Sequence, residues 1–268
     1  MMKFTTLPLL FIVGCVGAVS RPQISIQVRD GALSGDIEAI DPTITWEGSS
    51  SYFDFDLEYG TEASLQVTDD FASLPRNVWG RVSRRIGQWG VSAHAKVFGN
   101  DMKNAKVELA AGSENDKFSS KLMGSLGNSG ASVDSIQVTK GFDFNTTHYV
   151  ALTPRFNVAD KTADMFVSYS KDKTNVGLST SRTSQKISVS QQIGENNRIM
   201  PTFSSGGEFS LGWERFLGKG SSITTVLTPD KDIDVVWKDG EWKANINMPL
   251  DGISISGANV NIKRELKL

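Results

Sequence analysis

The densest group of side chains able to do chemistry is a set of four arginines, Arg76, Arg81, Arg84 and Arg85. Guanidinium groups stay charged at every biological pH and bind phosphate or carboxylate. Val78, Val82 and Ile86 recur among them at intervals of four, with Trp79 alongside. That spacing predicts a short basic amphipathic helix over residues 73–90, capped by Ser73 with Pro75 in its first turn. Gly80 and Gly87 disfavour it. Such a helix would line a pore or touch anionic lipid. Simple cover for a sheet edge would use the same residues.

Little else in the chain has catalytic spacing. The two histidines, His94 and His148, lie far apart in alternating runs, with no metal-ligand pattern around them. No nucleophile elbow, phosphate loop or dinucleotide fingerprint is present. Asp54/Asp56 and Asp232/Asp234 are carboxylate pairs of the kind glycosidases use, and solvated strands produce the same pairs. No cofactor or metal is implied, and an enzyme is the least favoured function. Lys+Arg 28 against Asp+Glu 30 leaves a formal charge of −2, which argues against a nucleic-acid partner. The single cysteine excludes a disulfide framework. Asn145-Thr146-Thr147 is a glycosylation sequon, so Asn145 is a modification site if the chain enters a eukaryotic lumen.

The elements that must position these groups read as strands. Phe53, Phe55, Leu57 and Tyr59 alternate with Asp54, Asp56 and Glu58; Ile233, Val235 and Trp237 alternate with Asp232, Asp234 and Lys238. Trp242, Ala244, Ile246 and Met248 alternate with Lys243, Asn245 and Asn247. Period-two alternation gives each strand one apolar and one polar side. Turn clusters such as Lys171-Asp172-Lys173 and Lys238-Asp239-Gly240-Glu241 separate the runs. About fourteen candidate strands follow Val91 at this spacing, and nearest-neighbour antiparallel pairing is the simplest topology for them. The fold class is all-β, an antiparallel meander.

The first 20 residues have the layout of a secretory signal peptide: Lys3, an apolar run from Leu7 to Val19, and Ala18-Val19-Ser20 before Arg21. Ile12-Val13-Gly14-Cys15 also matches a bacterial lipobox, in which the cysteine would be lipidated. The chain then divides into N-terminal strands (21–72), the helix (73–90) and the meander (91–268), with 21–268 as one domain.

Two readings compete for the apolar faces. In the first they meet lipid, and the chain is a transmembrane β-barrel passing small solutes or ions. In the second they form the core of a secreted or lumenal β-sandwich or extended sheet, an assembly or binding module. Trp213, Phe216, Trp237 and Trp242 fit a membrane girdle or a soluble core, and Ser179 to Arg182, Ser188 to Gln192 and Ser204-Ser205 thin several lipid faces. The barrel is favoured. An amphipathic segment ahead of a run of strands resembles the voltage-dependent anion channel and plastid outer-envelope pore families over residues 73–268. That resemblance implies an outer-membrane or plastid-envelope pore, with the bilayer and solutes as partners, and a homo-oligomer fits it. The signal segment departs from those families.

Overall fold

The computed structural model describes residues 18–19, 23–28, 40–64, 75–99, 101–128, 130–250 and 258–267. The predicted lipobox at Cys15 and the apolar run before residue 18 lie outside them. The strands are β1 (Ala18–Val19), β2 (Gln23–Val28), β3 (Ile40–Tyr52), β4 (Phe55–Ser64), β5 (Pro75–Ile86) and β6 (Trp89–Phe98). β7 (Asp101–Ser113), β8 (Phe118–Gly127), β9 (Gly130–Asp143), β10 (His148–Asn157), β11 (Thr162–Lys171), β12 (Thr174–Thr180) and β13 (Gln185–Ile193) follow. The last six are β14 (Asn197–Ser204), β15 (Phe209–Gly218), β16 (Ser221–Thr228), β17 (Asp232–Asp239), β18 (Trp242–Pro249) and β19 (Asn259–Lys267).

All of them belong to one 19-stranded sheet in which every pairing is antiparallel. The two-residue β1 lies along β3, which β2 also borders. From β2 onward each strand pairs with the next, and β19 pairs back onto β2, Lys263 facing Gln27. Eighteen strands therefore close a ring. Closure leaves no sheet edge, so every strand has a hydrogen-bonding neighbour on both sides. At about 4.8 Å between strands and a tilt of about 40°, such a ring has a backbone diameter of roughly 35 Å.

Alternation decides which side chains face which way. Directly paired residues share a face, so the register carries the face from strand to strand around the ring. Leu57, Val82, Ala93, Leu109 and Leu122 form one continuous row. Leu152, Val167, Leu178, Ile187 and Phe203 form another on the same face. Large apolar residues of that face are openly exposed, for example Val82 at 41%, Leu109 at 46% and Phe203 at 52%. Among the described residues the only buried hydrophobic side chain is Ala151. A sandwich would have buried these faces against each other. The accessible surface, 19044 Å², also far exceeds the roughly 11,000 Å² expected of a compact chain of this mass.

The helix expected over 73–90 does not form: residues 75–86 are β5, and the described residues contain no helix. An interval of four is even, so Val78, Val82 and Ile86 also share one face of a strand. There Val82 and Ile86 stand opposite Ala93 and Trp89. Gly80 is unfavourable in a helix and harmless here, opposite Ala95 on one side and Tyr59 on the other. The strand count after Val91 matches, since β6 to β19 are fourteen strands.

The turns divide into two rims. At one rim, called the short-turn rim, β3–β4, β5–β6, β11–β12, β15–β16 and β17–β18 are joined by two residues each. Lys219 and Gly220 both have positive φ (52° and 83°), the geometry of a type I′ hairpin. Gly240 (φ 55°) opens the Gly240-Glu241 turn, one residue later than the Asp-Gly signal placed it. The other rim has two- to four-residue turns, and segments 29–39, 65–74 and 251–257, outside the described residues, join strands there.

Candidate functional site

The face opposite the apolar one is polar on every strand and lines the inside of the ring. Many of the serines and threonines that thin the sequence alternate with apolar residues and fall inward, whereas Thr180 and Gln191 stay on the outer face. Ser179, Ser188 and Ser204 are on this inner wall, whereas Val176, Leu178, Ile187 and Val189 face out. One hollow of about 600 Å³ in the wall is lined by Glu58, Trp79, Arg81, His94, Lys96 and Glu108, among others. A second, of about 460 Å³ towards the short-turn rim, takes in Arg85, Gln88, Ser92, Lys121 and Gln137.

Several charges on this wall form pairs across neighbouring strands, while lysines also face lysines, Lys96 opposite Lys106 and Lys238 opposite Lys243. Arg81 stands opposite Glu58, with Nη1 at 3.5 Å from Oε2. Lys121 Nζ is 2.9 Å from Glu108 Oε1. Arg155, opposite Asp164, donates from Nε and Nη2 to Oδ2 at 3.0 and 2.5 Å, and Asn157 donates to the same oxygen at 3.1 Å. Arg198 Nη1 reaches Glu214 Oε2 at 3.0 Å. Two of these pairs repeat one design. In each, a phenylalanine two residues past the carboxylate lies under the guanidinium: Phe166 at 5.1 Å from Arg155 and Phe216 at 5.3 Å from Arg198. Pairing fixes the long side chains against the wall and keeps them out of the lumen. Period two, counted from an apolar neighbour, would have placed all of them on the inner wall.

The four predicted arginines are not brought together. Arg81 and Arg85 face inward, with Arg81 engaged by Glu58. Arg85 is exposed, and no carboxylate among the described residues pairs with it. Arg84 is on the outer face at the short-turn rim, opposite Phe55, with Nη2 at 2.6 Å from Asp54 Oδ2 and its guanidinium over the Phe55 ring. Arg76 lies at the far end of β5, where its carbonyl accepts from Gly99. Asn145 is exposed in the turn between β9 and β10.

No catalytic grouping is assembled from the remaining candidates. His94 faces inward beside Trp79, and His148 faces outward with Nδ1 at 2.9 Å from the Tyr169 hydroxyl. Asp232 and Asp234 share one donor, Asn247 Nδ2, at 3.1 and 2.6 Å. Asp54 and Asp56 separate, Asp54 to Arg84 and Asp56 to the Ser51 hydroxyl at 2.7 Å. Groups of three or more His, Cys, Asp or Glu able to hold a metal are absent among the described residues. Of the four aromatics, Trp213, Trp237 and Trp242 face out, and Phe216 faces in under Arg198.

Comparison with solved structures gives the same fold. The chain superposes on an engineered protein solved in work on asymmetric conductivity, at a TM-score of 0.50 and 9% identity over 92% of this chain and 99% of that one. A double mutant of the Rhodopseudomonas blastica porin gives the same TM-score, identity and coverage. No protein-family model and no curated protein matches the chain. The fold is thus a porin-like β-barrel, the favoured of the two architectures read from the alternation.

Proposed function

We propose that the chain is a pore of an outer membrane or organelle envelope, through which small hydrophilic solutes and ions pass passively. One observation carries this reading: a closed ring of eighteen strands with an apolar outer face and a charged, hydroxyl-rich inner wall. A bilayer accepts only structures that satisfy their backbone internally, and an even-stranded closed meander does so. Barrels of sixteen to eighteen strands leave an aqueous channel. Strands of about ten residues, such as β6 and β10, fit an apolar band about 25 Å tall when tilted. The described turns are four residues or shorter, and strand side chains project into the lumen. A secretory segment over residues 1–20, as the sequence predicts, would deliver the chain to a bacterial outer membrane or a plastid envelope.

Reconstitution into planar bilayers tests the reading. The expected result is stepwise, ohmic conductance; a correctly folded protein without conductance would contradict it. Selectivity follows from the charges of the inner wall, Arg85 among them. Arg85→Ser is expected to shift the reversal potential in a salt gradient away from anion preference, and the double change Arg81→Ser/Glu58→Gln, which leaves the wall's net charge unaltered, to shift it less. Equal shifts would remove Arg85 from its proposed role.

A further inference from the structure

The outer face is not the same at its two ends. Five basic residues point outward at the short-turn rim, each directly opposite the first residue of a neighbouring strand. Arg84 faces Phe55, Lys140 faces Phe118, Lys171 faces both His148 and Thr174, Arg215 faces Asn197, and Arg264 faces Trp242. They come from β5, β9, β11, β15 and β19 and so encircle the barrel in a single row. Aromatic rings accompany them. Arg84 lies over Phe55 at 4.8 Å, Arg264 over Trp242 at 4.8 Å and Lys140 by Phe142 at 6.0 Å.

At the opposite rim five outward pairs carry no charge, although Arg76, at the start of β5, lies at that end. Ile44 faces Ala63, Ala105 faces Leu126, Phe156 faces Ala163, Phe203 faces Phe209 and Leu227 faces Ile233. From this asymmetry we infer that the short-turn rim is a belt for the phosphate headgroups of anionic phospholipids. The inference rests on the pore reading, since only a barrel in a bilayer presents this row to headgroups.

Charge complementarity selects the partner. Lys171, Arg215 and Arg264 have no carboxylate partner among the described residues, and Arg215 and Arg264 are exposed. A cation facing the bilayer at headgroup depth needs an anion there, and a phosphodiester supplies it. Acids at this end such as Glu114, Glu195 and Glu241 lie in the turns, one step further from the hydrocarbon than the belt; Asp239, outward on β17 opposite Trp242, accepts from the Ser221 hydroxyl. Rings beside the cations suit the same depth, where an apolar body and a polar neighbour are both accommodated.

Tryptophan fluorescence tests the belt, because Trp46, Trp89, Trp213, Trp237 and Trp242 all face outward. The full chain is reconstituted in phosphatidylcholine vesicles, and quenching by brominated phosphatidylglycerol is compared with quenching by brominated phosphatidylcholine. The belt is expected to favour phosphatidylglycerol by about threefold to tenfold at low salt, and to lose that preference at high salt. The K171Q/R215Q/R264Q variant should quench equally with both lipids, and K171R/R215K/R264K should keep the preference. Equal quenching of the unmodified protein overturns the belt and leaves the pore. Preference that persists in the glutamine variant, or at high salt, overturns the belt as well. Absence of quenching by either lipid overturns the membrane reading itself.

Discussion

Trp79 and Gly60 face each other across β4 and β5 on the inner wall. A Cβ on Gly60 would meet the indole at 2.6 Å, so the ring rests on bare backbone and covers a residue that is otherwise weak in a strand. Gly60→Ala should displace the indole and cost about 1–3 kcal/mol in a reversible urea titration. The same change in a Trp79→Ala background should cost much less, and an equal cost would separate the two residues. A different test belongs to the turns. Lys231, between β16 and β17, is paired with Glu208, between β14 and β15. The hydrogen bond from Lys231 holds the Glu208 carboxyl below its ordinary 4.5, and the same bond raises Lys231 above 10.5. The carboxylate's contribution is complete above its ordinary value and is lost as pH falls through the lowered one. The ammonium's contribution is complete below 10.5 and is lost as pH rises through the raised value. Lys231→Gln should therefore move the Glu208 titration upward, read from its side-chain carbon resonance by NMR.

Neighbours on one strand should respond oppositely to the same substitution. Leu109 and Ala110 of β7 face outward and inward respectively. Leu109→Arg would place a charge in the apolar band and should cost about 2–4 kcal/mol of folding free energy in lipid. Ala110→Arg should leave stability nearly unchanged and reduce conductance, so comparable destabilisation by both would contradict the assigned faces. This alternation was legible in the sequence, and with it the fold class, the antiparallel order and most turns. The segment around the arginines was not. Its apolar residues recur every four positions, a spacing that suits both a helix and one face of a strand. Only the pairing of Arg81 with His94 and Glu58 settles which period holds. The inner-wall pairs were hidden for a related reason: Arg155 and Asp164 are nine positions apart and meet only through hairpin register.

For the molecule as a whole, the absence of an apolar core among the described residues decides the fold against a sandwich. Exposed leucines and phenylalanines on every part of the ring need a solvent of their own kind, and a bilayer provides one. Closure of β19 onto β2 then makes the N-terminal strands part of the same wall as the C-terminal ones. The most direct test is cysteine scanning along β7 in proteoliposomes, with Cys15 replaced by serine and a small water-soluble maleimide as the probe. Cysteines at Lys106, Glu108, Ala110 and Gly112 are expected to react, and those at Val107, Leu109 and Ala111 to remain unlabelled until detergent is added. Uniform labelling along the strand, or labelling of the apolar positions first, would contradict a water-filled barrel in lipid.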